Sequence, residues 1–236
     1  MIVAEDGGPN GKSLGPRLRF QVLLLNSYKR MTDERAGTAS IILAVARELF
    51  AQRGYDGTSI RAISSRAGVN LGAVTYHFGS KAGLYAAVIQ SVVGPLRERV
   101  LAIAEGPEPP LEKLAEIVAA YFDHFAHTPD MPKIVVQQFF TGQPLTIELR
   151  SAMEAILGAL VGTIRTGQGV GQIRAGSPQL MAFSLLAQPI YLNIIRGPLA
   201  QAGVLDLSDP TQYRAVVDHV TRFALAGLTQ QPGAPE

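Results

Sequence analysis

Between Gly57 and Gln90 the only charged side chains are Arg61, Arg66 and Lys81, and all three are basic. A short segment that carries cations and no acid of its own presents them to a polyanion, although three cations on a solvated face give the same count. The residue types between the cations narrow the chemistry. Leu71 and Ala73 suit thymine methyl groups, Thr75 suits a base edge or a phosphate, and Tyr76 and His77 carry polar tips suited to phosphate oxygens. Gly72 in a helix costs ~1 kcal/mol against alanine, so a contact reason is expected, and the close approach of a nucleic-acid backbone supplies one. Arg61 and Lys81 stand in the first turns of helices, where the positive dipole end disfavours a cation and favours an anion; a phosphate resolves both conflicts.

Reactive chemistry finds less material. The chain has no cysteine, and its four histidines stand at 77, 124, 127 and 219, so spacing assembles no nucleophile, base and acid. His124 and His127 with Asp123 have a spacing too common to define a metal site. Gly167, Gly169 and Gly171 follow no strand and precede no Lys-Ser/Thr pair, which removes the phosphate-loop mechanism and leaves a helix exit. No catalytic residue, metal or cofactor is assigned.

The elements that position the basic segment are short helices. From Thr38, the residues Ile42, Leu43, Ala46, Leu49 and Phe50 recur at helical spacing until Gly54. Thr58 or Ser59 caps a second helix that buries Ile60, Ile63 and Ala67. Ala67-Gly68-Val69 forms a turn, and Asn70 caps a third helix to about His77. Val69, Val74 and Phe78 are assigned to packing. Gly79 ends the third helix and Ser80 caps a fourth, which Gly94-Pro95 is expected to bend or break. Two short helices joined through glycine match a helix-turn-helix, whose second helix enters a major groove. Further helices are expected at about 96–104, 110–127, 131–141, 144–169, 178–200 and 209–229, with Pro189 and Gly197-Pro198 expected to kink the helix or shorten it. Strand alternation is absent, and the fold class is all-α.

Composition bounds the rest. Of 236 residues, 47% are hydrophobic and 17% charged, which excludes a disordered chain and provides a sizeable core. The net charge of +2 divides unevenly: residues 1–90 hold 11 Lys+Arg against 6 Asp+Glu, and residues 91–236 hold 10 against 13. No apolar run approaches the ~20 residues of a membrane span. The start lacks a signal-peptide pattern, and without cysteine nothing points to an oxidising compartment, so a cytoplasmic location is expected. Residues 1–35, rich in Gly and Pro with 5 Lys+Arg against 2 Asp+Glu in the first 30, are expected to form a loose arm, and Met31 is an alternative start. Such an arm follows a minor groove in some proteins.

Thr58-Ser59-Ile60-Arg61 through Ala67-Gly68-Val69-Asn70 to Tyr76-His77-Phe78-Gly79-Ser80-Lys81 and Leu84-Tyr85 resembles the DNA-binding region of TetR-family transcriptional regulators. The likeness extends back over Ala46 to Tyr55. The resemblance implies DNA contacts at Thr58, Arg61, Leu71, Gly72, Ala73, Thr75, Tyr76, His77 and Lys81. Thr75 replaces an aromatic common in the family, and Leu71 stands where a polar residue is frequent. Beyond Ile89 the likeness rests on Gly171 to Arg174 before Ser177-Pro178 and on the helix from His219 to Leu228. It implies an N-terminal three-helix DNA-binding domain over 36–85, a ligand-binding and dimerisation domain over 86–230 and a tail over 231–236.

The expected partners are a double-stranded DNA operator, an unidentified small apolar effector, and a second copy joined through residues 178–200 and 209–229. Their apolar faces offer Leu185, Leu186, Ile190 and Ile194, and Val216, Val217, Val220, Phe223 and Leu225. Effector-pocket candidates are Tyr121, His124, Phe125, Gln137, Phe140, Met153, Phe183, Tyr191 and Asn193; as ordinary core or interface residues the same side chains need no ligand. The function expected is a ligand-responsive repressor. The alternatives are an architectural DNA-binding protein on this scaffold and an all-helical carrier or enzyme.

Overall fold

The computed structural model describes residues 37–140 and 144–229, so the expected arm over 1–35 and tail over 231–236 lie outside the described residues. Helices and turns make up the described chain, with no strand among its residues. A first helix, α1, covers residues 37–53. After it come α2 Ile60–Ala67, α3 Leu71–Phe78, α4 Lys81–Glu105, α5 Pro110–His127, α6 Met131–Phe140, α7 Ile147–Gly169, α8 Pro178–Ile194, α9 Arg196–Gln201 and α10 Pro210–Ala226.

One apolar cluster runs from Ile42 in α1 to Leu228 near the end of the described chain. α4 is its axis. Leu84, Tyr85, Val88, Ile89, Val92, Val93, Leu96 and Val100 are buried around the whole helix, because α3 packs at its start and α5 and α7 flank the remainder. A helix apolar on all sides is a central helix.

One expectation is corrected here and another is met. Gly94-Pro95 does not break the fourth helix, which continues unbroken from Lys81 to Glu105 across the expected boundary at residue 85. Pro95 has no N–H for the carbonyl of Ser91. One residue on, the carbonyl of Val92 accepts a hydrogen bond from His124 Nε2 of α5 at 2.8 Å, so a side chain pins α5 to α4 beside the proline. Burial on both sides holds the helix together at a position where local propensity alone would end it. Over 178–200 the expected shortening is seen. α8 passes through Pro189 and ends at Ile194, and α9 starts at Arg196 and contains Gly197-Pro198.

The exit of α7 is also packed rather than loose. A Cβ at Gly167 would lie 2.5 Å from Cδ1 of buried Ile173, so glycine is what admits that side chain. Arg174 then donates from its backbone N–H to the Leu228 carbonyl and from Nε to the Gly227 carbonyl, each at 2.8 Å, which fastens the end of α10 to the body.

Burial pushes the His124 imidazole below its ordinary value of 6.5, with the Val92 bond pulling the other way. A histidine kept neutral by the fold adds stability that is complete above the unfolded value and is lost as pH falls below it. The melting temperature should therefore drop more steeply between about pH 7.5 and 5.5 in the natural chain than in His124→Gln, whose amide donates without titrating. Equal slopes in calorimetry would contradict this role.

Candidate nucleic-acid interface

α3 has eight residues, too few to persist alone in water, and both of its ends are closed by specific bonds. Asn70 is extended, and its Oδ1 accepts the Ala73 N–H at 2.8 Å. Ahead of it, Gly68 takes the left-handed conformation with φ 67° and ψ 27°. The Gly68 N–H reaches the Ser65 carbonyl at 3.3 Å and the Val69 N–H reaches the Ser64 carbonyl at 3.0 Å, the bond pair of a Schellman turn. At the far end the Gly79 N–H meets the Thr75 carbonyl at 2.8 Å. Ser80 Oγ accepts the Gly83 N–H at 3.0 Å to start α4. The cap of α2 is Ser59, whose Oγ accepts the Ala62 N–H at 3.1 Å.

Val74 is buried, and Ala73, His77 and Phe78 are half-buried on the same side. Leu71, Gly72, Thr75 and Tyr76 form the opposite stripe; Leu71 is 47% exposed and Tyr76 65%. Two large apolar or aromatic groups held open to solvent on a short, rigid helix are a surface made for contact. The Gly72 backbone lies open on that stripe. A Cβ there would come 3.3 Å from Asn70 Oδ1, so the glycine also leaves room for the cap.

Other expected contacts lie differently. Thr58 is 1% exposed, and its hydroxyl donates within the fold toward the carbonyls of Gly54 at 2.8 Å and Leu49 at 3.2 Å; it fastens the end of α1 and does not present a side chain to DNA. Arg66 is not a free cation, because it pairs with Glu48 of α1 at 2.5 Å. Arg61 is exposed and makes no ion pair among the described residues. Lys81 Nζ lies 4.2 Å from the centre of the Tyr55 ring, which in turn meets Tyr85 at 4.9 Å and stacks on Phe50 at 6.1 Å. Such cation–π contacts are worth roughly 0.5–1 kcal/mol at exposed sites, and this one holds the ammonium at the start of α4. Sequence reading named the lysine and missed the ring, since the two are 26 positions apart, from Tyr55 to Lys81. None of α2, α3 and α4 has an acid in its first turn, so their positive ends remain uncompensated.

A second feature lies deeper. A cavity of about 740 Å³ is bounded by α4, α5, α6, α7 and α8. Of the effector-pocket candidates, Tyr121, Phe125, Met153, Phe183 and Tyr191 line it; His124, Gln137, Phe140 and Asn193 do not. His124 is committed to Val92, and Asn193 Nδ2 donates to the Pro189 carbonyl at 2.8 Å. Phe140 is 85% exposed. Gln137 Nε2 crosses instead to the Ala51 carbonyl of α1 at 3.3 Å, and nearby Asp130 stands 3.8 Å from Arg47 of the same helix. α6 therefore lines the cavity with Val135 and Phe139 and holds α1 with Gln137. Val135, Leu149 and Leu186 line the space too, and nothing in their sequence pattern separates them from ordinary core.

The helix-turn-helix is carried on an all-helical body that holds an apolar cavity. Residues 42–88 match the family described as bacterial regulatory proteins, tetR family. The HTH-type transcriptional activator FasR of Mycolicibacterium smegmatis is 28% identical over 203 residues, covering 85% of each chain. The HTH-type transcriptional repressor NicS of Pseudomonas putida is 26% identical over 196 residues, covering 81% of this chain and 92% of its own. AibR, solved in complex with isovaleryl coenzyme A and operator DNA, shares the fold with a TM-score of 0.63 at 16% identity, over 79% of this chain and 97% of that one. The family is one of transcriptional regulators rather than enzymes. No helix among the described residues is long and apolar enough to cross a membrane.

The Asn70 cap gives a direct check on how α3 is held. Asn70→Ala should lower stability by about 1 kcal/mol in urea titration, the usual worth of such a cap. An unchanged midpoint would show that α3 does not depend on it.

Proposed function

We propose that the chain is a ligand-responsive transcriptional regulator that binds a near-palindromic DNA operator as a homodimer and represses until a small molecule enters the cavity. The observation that carries this is the exposed stripe of Leu71, Gly72, Thr75 and Tyr76 on a helix braced at both ends, with Arg61 and Lys81 beside it. Leu71 and Thr75 would meet base edges, and Tyr76, Arg61 and Lys81 would hold phosphates. Ala73 and His77 supply the shoulders of the same helix, and the Thr58 backbone is all that segment offers.

The homodimer would form through 178–200 and 209–229. Ile194, Tyr191 and Phe223 are exposed there, and a groove of about 470 Å³ lies between α8 and α10. Leu185 and Val220 belong to the protomer's own core, which narrows the face to the remaining apolar residues. A twofold pair of heads would occupy successive major grooves, ~34–36 Å apart. The two relatives above are named an activator and a repressor, so deletion of the gene is the decisive arm: repression expects transcription from the bound promoter to rise.

Transmission would run through two elements. α4 reaches from Lys81 to the cavity residues Val93 and Leu96, and α6 touches both the cavity and α1. A ligand changes DNA affinity only if the cavity differs between the two arrangements of the heads. Spin labels on the two α3 helices should change separation when effector saturates the protein; an unchanged distance would refute the lever.

Operator binding by fragments selected from the organism's own DNA tests the whole reading. Affinity should weaken steeply with salt, and Lys81→Ala should reduce the log–log slope by ~0.9 per lost contact, or about 2 per dimer. Binding indifferent to Lys81 and Tyr76 substitutions would favour an all-helical carrier. An architectural protein would bind DNA with no small molecule able to release it.

A further inference from the structure

Tyr121 gives the cavity a chemistry that its other walls lack. It stands on α5, is 5% exposed, and packs its ring against Phe125 with 6.0 Å between centroids. Its hydroxyl makes no hydrogen bond with any described residue. Burial pushes the phenol well above its usual range, so the group remains a neutral donor. The side chain is buried but its oxygen is not sealed off, and such a hydroxyl without a partner in the chain is satisfied at little cost by a ligand atom and is costly if it meets hydrocarbon.

The rest of the lining has the opposite character. Leu96, Val135, Leu149, Leu186 and Ile190 are typical of it. The only charged lining residues are Arg150 and Glu154, both exposed on α7 and four positions apart with opposite signs. Tyr191, the other polar group, is also exposed. Polarity therefore has two levels: a balanced pair of charges at the rim, and one neutral donor inside. Among the described lining residues an anion would find one cation, the exposed Arg150, with Glu154 one turn away to offset it, and a polyanionic head group would meet the same balanced pair.

From this we infer that the effector is an uncharged, lipid-like molecule with a hydrocarbon body and one carbonyl or hydroxyl oxygen that accepts a hydrogen bond from Tyr121. The inference rests on the ligand-responsive reading of the same cavity. A drug-sized body fits the available volume. Charged relatives of such a molecule, including acyl thioesters of a phosphorylated carrier, would bind less well because of their head groups rather than their tails.

The neutral fluorophore N-phenyl-1-naphthylamine serves as the reporter on the full chain. It would be displaced by 2-decanone, decanoate, decylammonium and decanoyl-coenzyme A, which share a tail length class and differ in charge. 2-Decanone should displace it at the lowest concentration. Tyr121→Phe should weaken the ketone about 3- to 10-fold, the net worth of one hydrogen bond, while leaving affinity for the reporter unchanged. Stronger displacement by decanoate, decylammonium or decanoyl-coenzyme A, no displacement by 2-decanone, or a ketone affinity indifferent to Tyr121→Phe would overturn the inference. The ranking in the natural chain decides even if the variant does not fold. Operator release is read separately: a ketone that binds without loosening DNA refutes ligand control and leaves the chemical class standing. Release by decanoyl-coenzyme A alone does the reverse.

Discussion

An eight-residue helix does not hold its shape in water, because nucleation fixes several residues before any hydrogen bond repays it. The DNA-facing surface proposed here depends on that constraint being met from outside α3. Asn70 supplies the cap, Gly68 and Val69 close the preceding turn, Val74 anchors one face in the core, and Gly79 and Ser80 hand the chain to α4. With those conditions met, the opposite face is free to carry exposed Leu71 and Tyr76, which a less constrained segment would fold inward. A rigid scaffold that leaves apolar groups in solvent is stable only while the buried side outweighs them, and here one cluster joins head and body.

The same economy of anchoring recurs between the two parts of the molecule. α4 starts beneath Lys81, passes the Tyr55–Tyr85 contact, and continues to the cavity wall at Val93 and Leu96. α6 touches the cavity and grips the Ala51 carbonyl through Gln137. His124 ties α5 to α4 beside Pro95. Packed helices with few, directional ties can change arrangement by sliding as units, which is the physical basis of the proposed coupling between the cavity and the spacing of two heads.

Much of the head was legible because its signals are local. Ser59, Gly68, Asn70, Gly79 and Ser80 each act within four residues of themselves, so their types and positions announce the ends of α2 and α3. Thr58 illustrates the limit: a threonine before a helix reads as a cap or a contact, and only the fold brings the Leu49 and Gly54 carbonyls to its hydroxyl. Arg66 and Lys81 looked alike in sequence; Glu48 neutralises one, and Tyr55 steadies the other. In the body the signals are long-range. Pro95 reads as a break, yet it is exposed while its neighbours Val92, Val93, Gly94 and Leu96 are buried, and α4 stays whole. Tyr121 and Phe125 line the cavity, while Gln137 and Asn193 spend their amides on carbonyls whose proximity no spacing rule gives.

The central claim is that α3 lies in a major groove, once per half-site, on one face of the duplex. Dimethyl sulfate footprinting of a bound fragment tests it most directly, because guanine N7 lies in the major groove and adenine N3 in the minor. The account predicts guanine protection in two clusters about one helical turn, or 10–10.5 base pairs, apart. Protection confined to adenine N3, or guanine protection without that spacing, would contradict it.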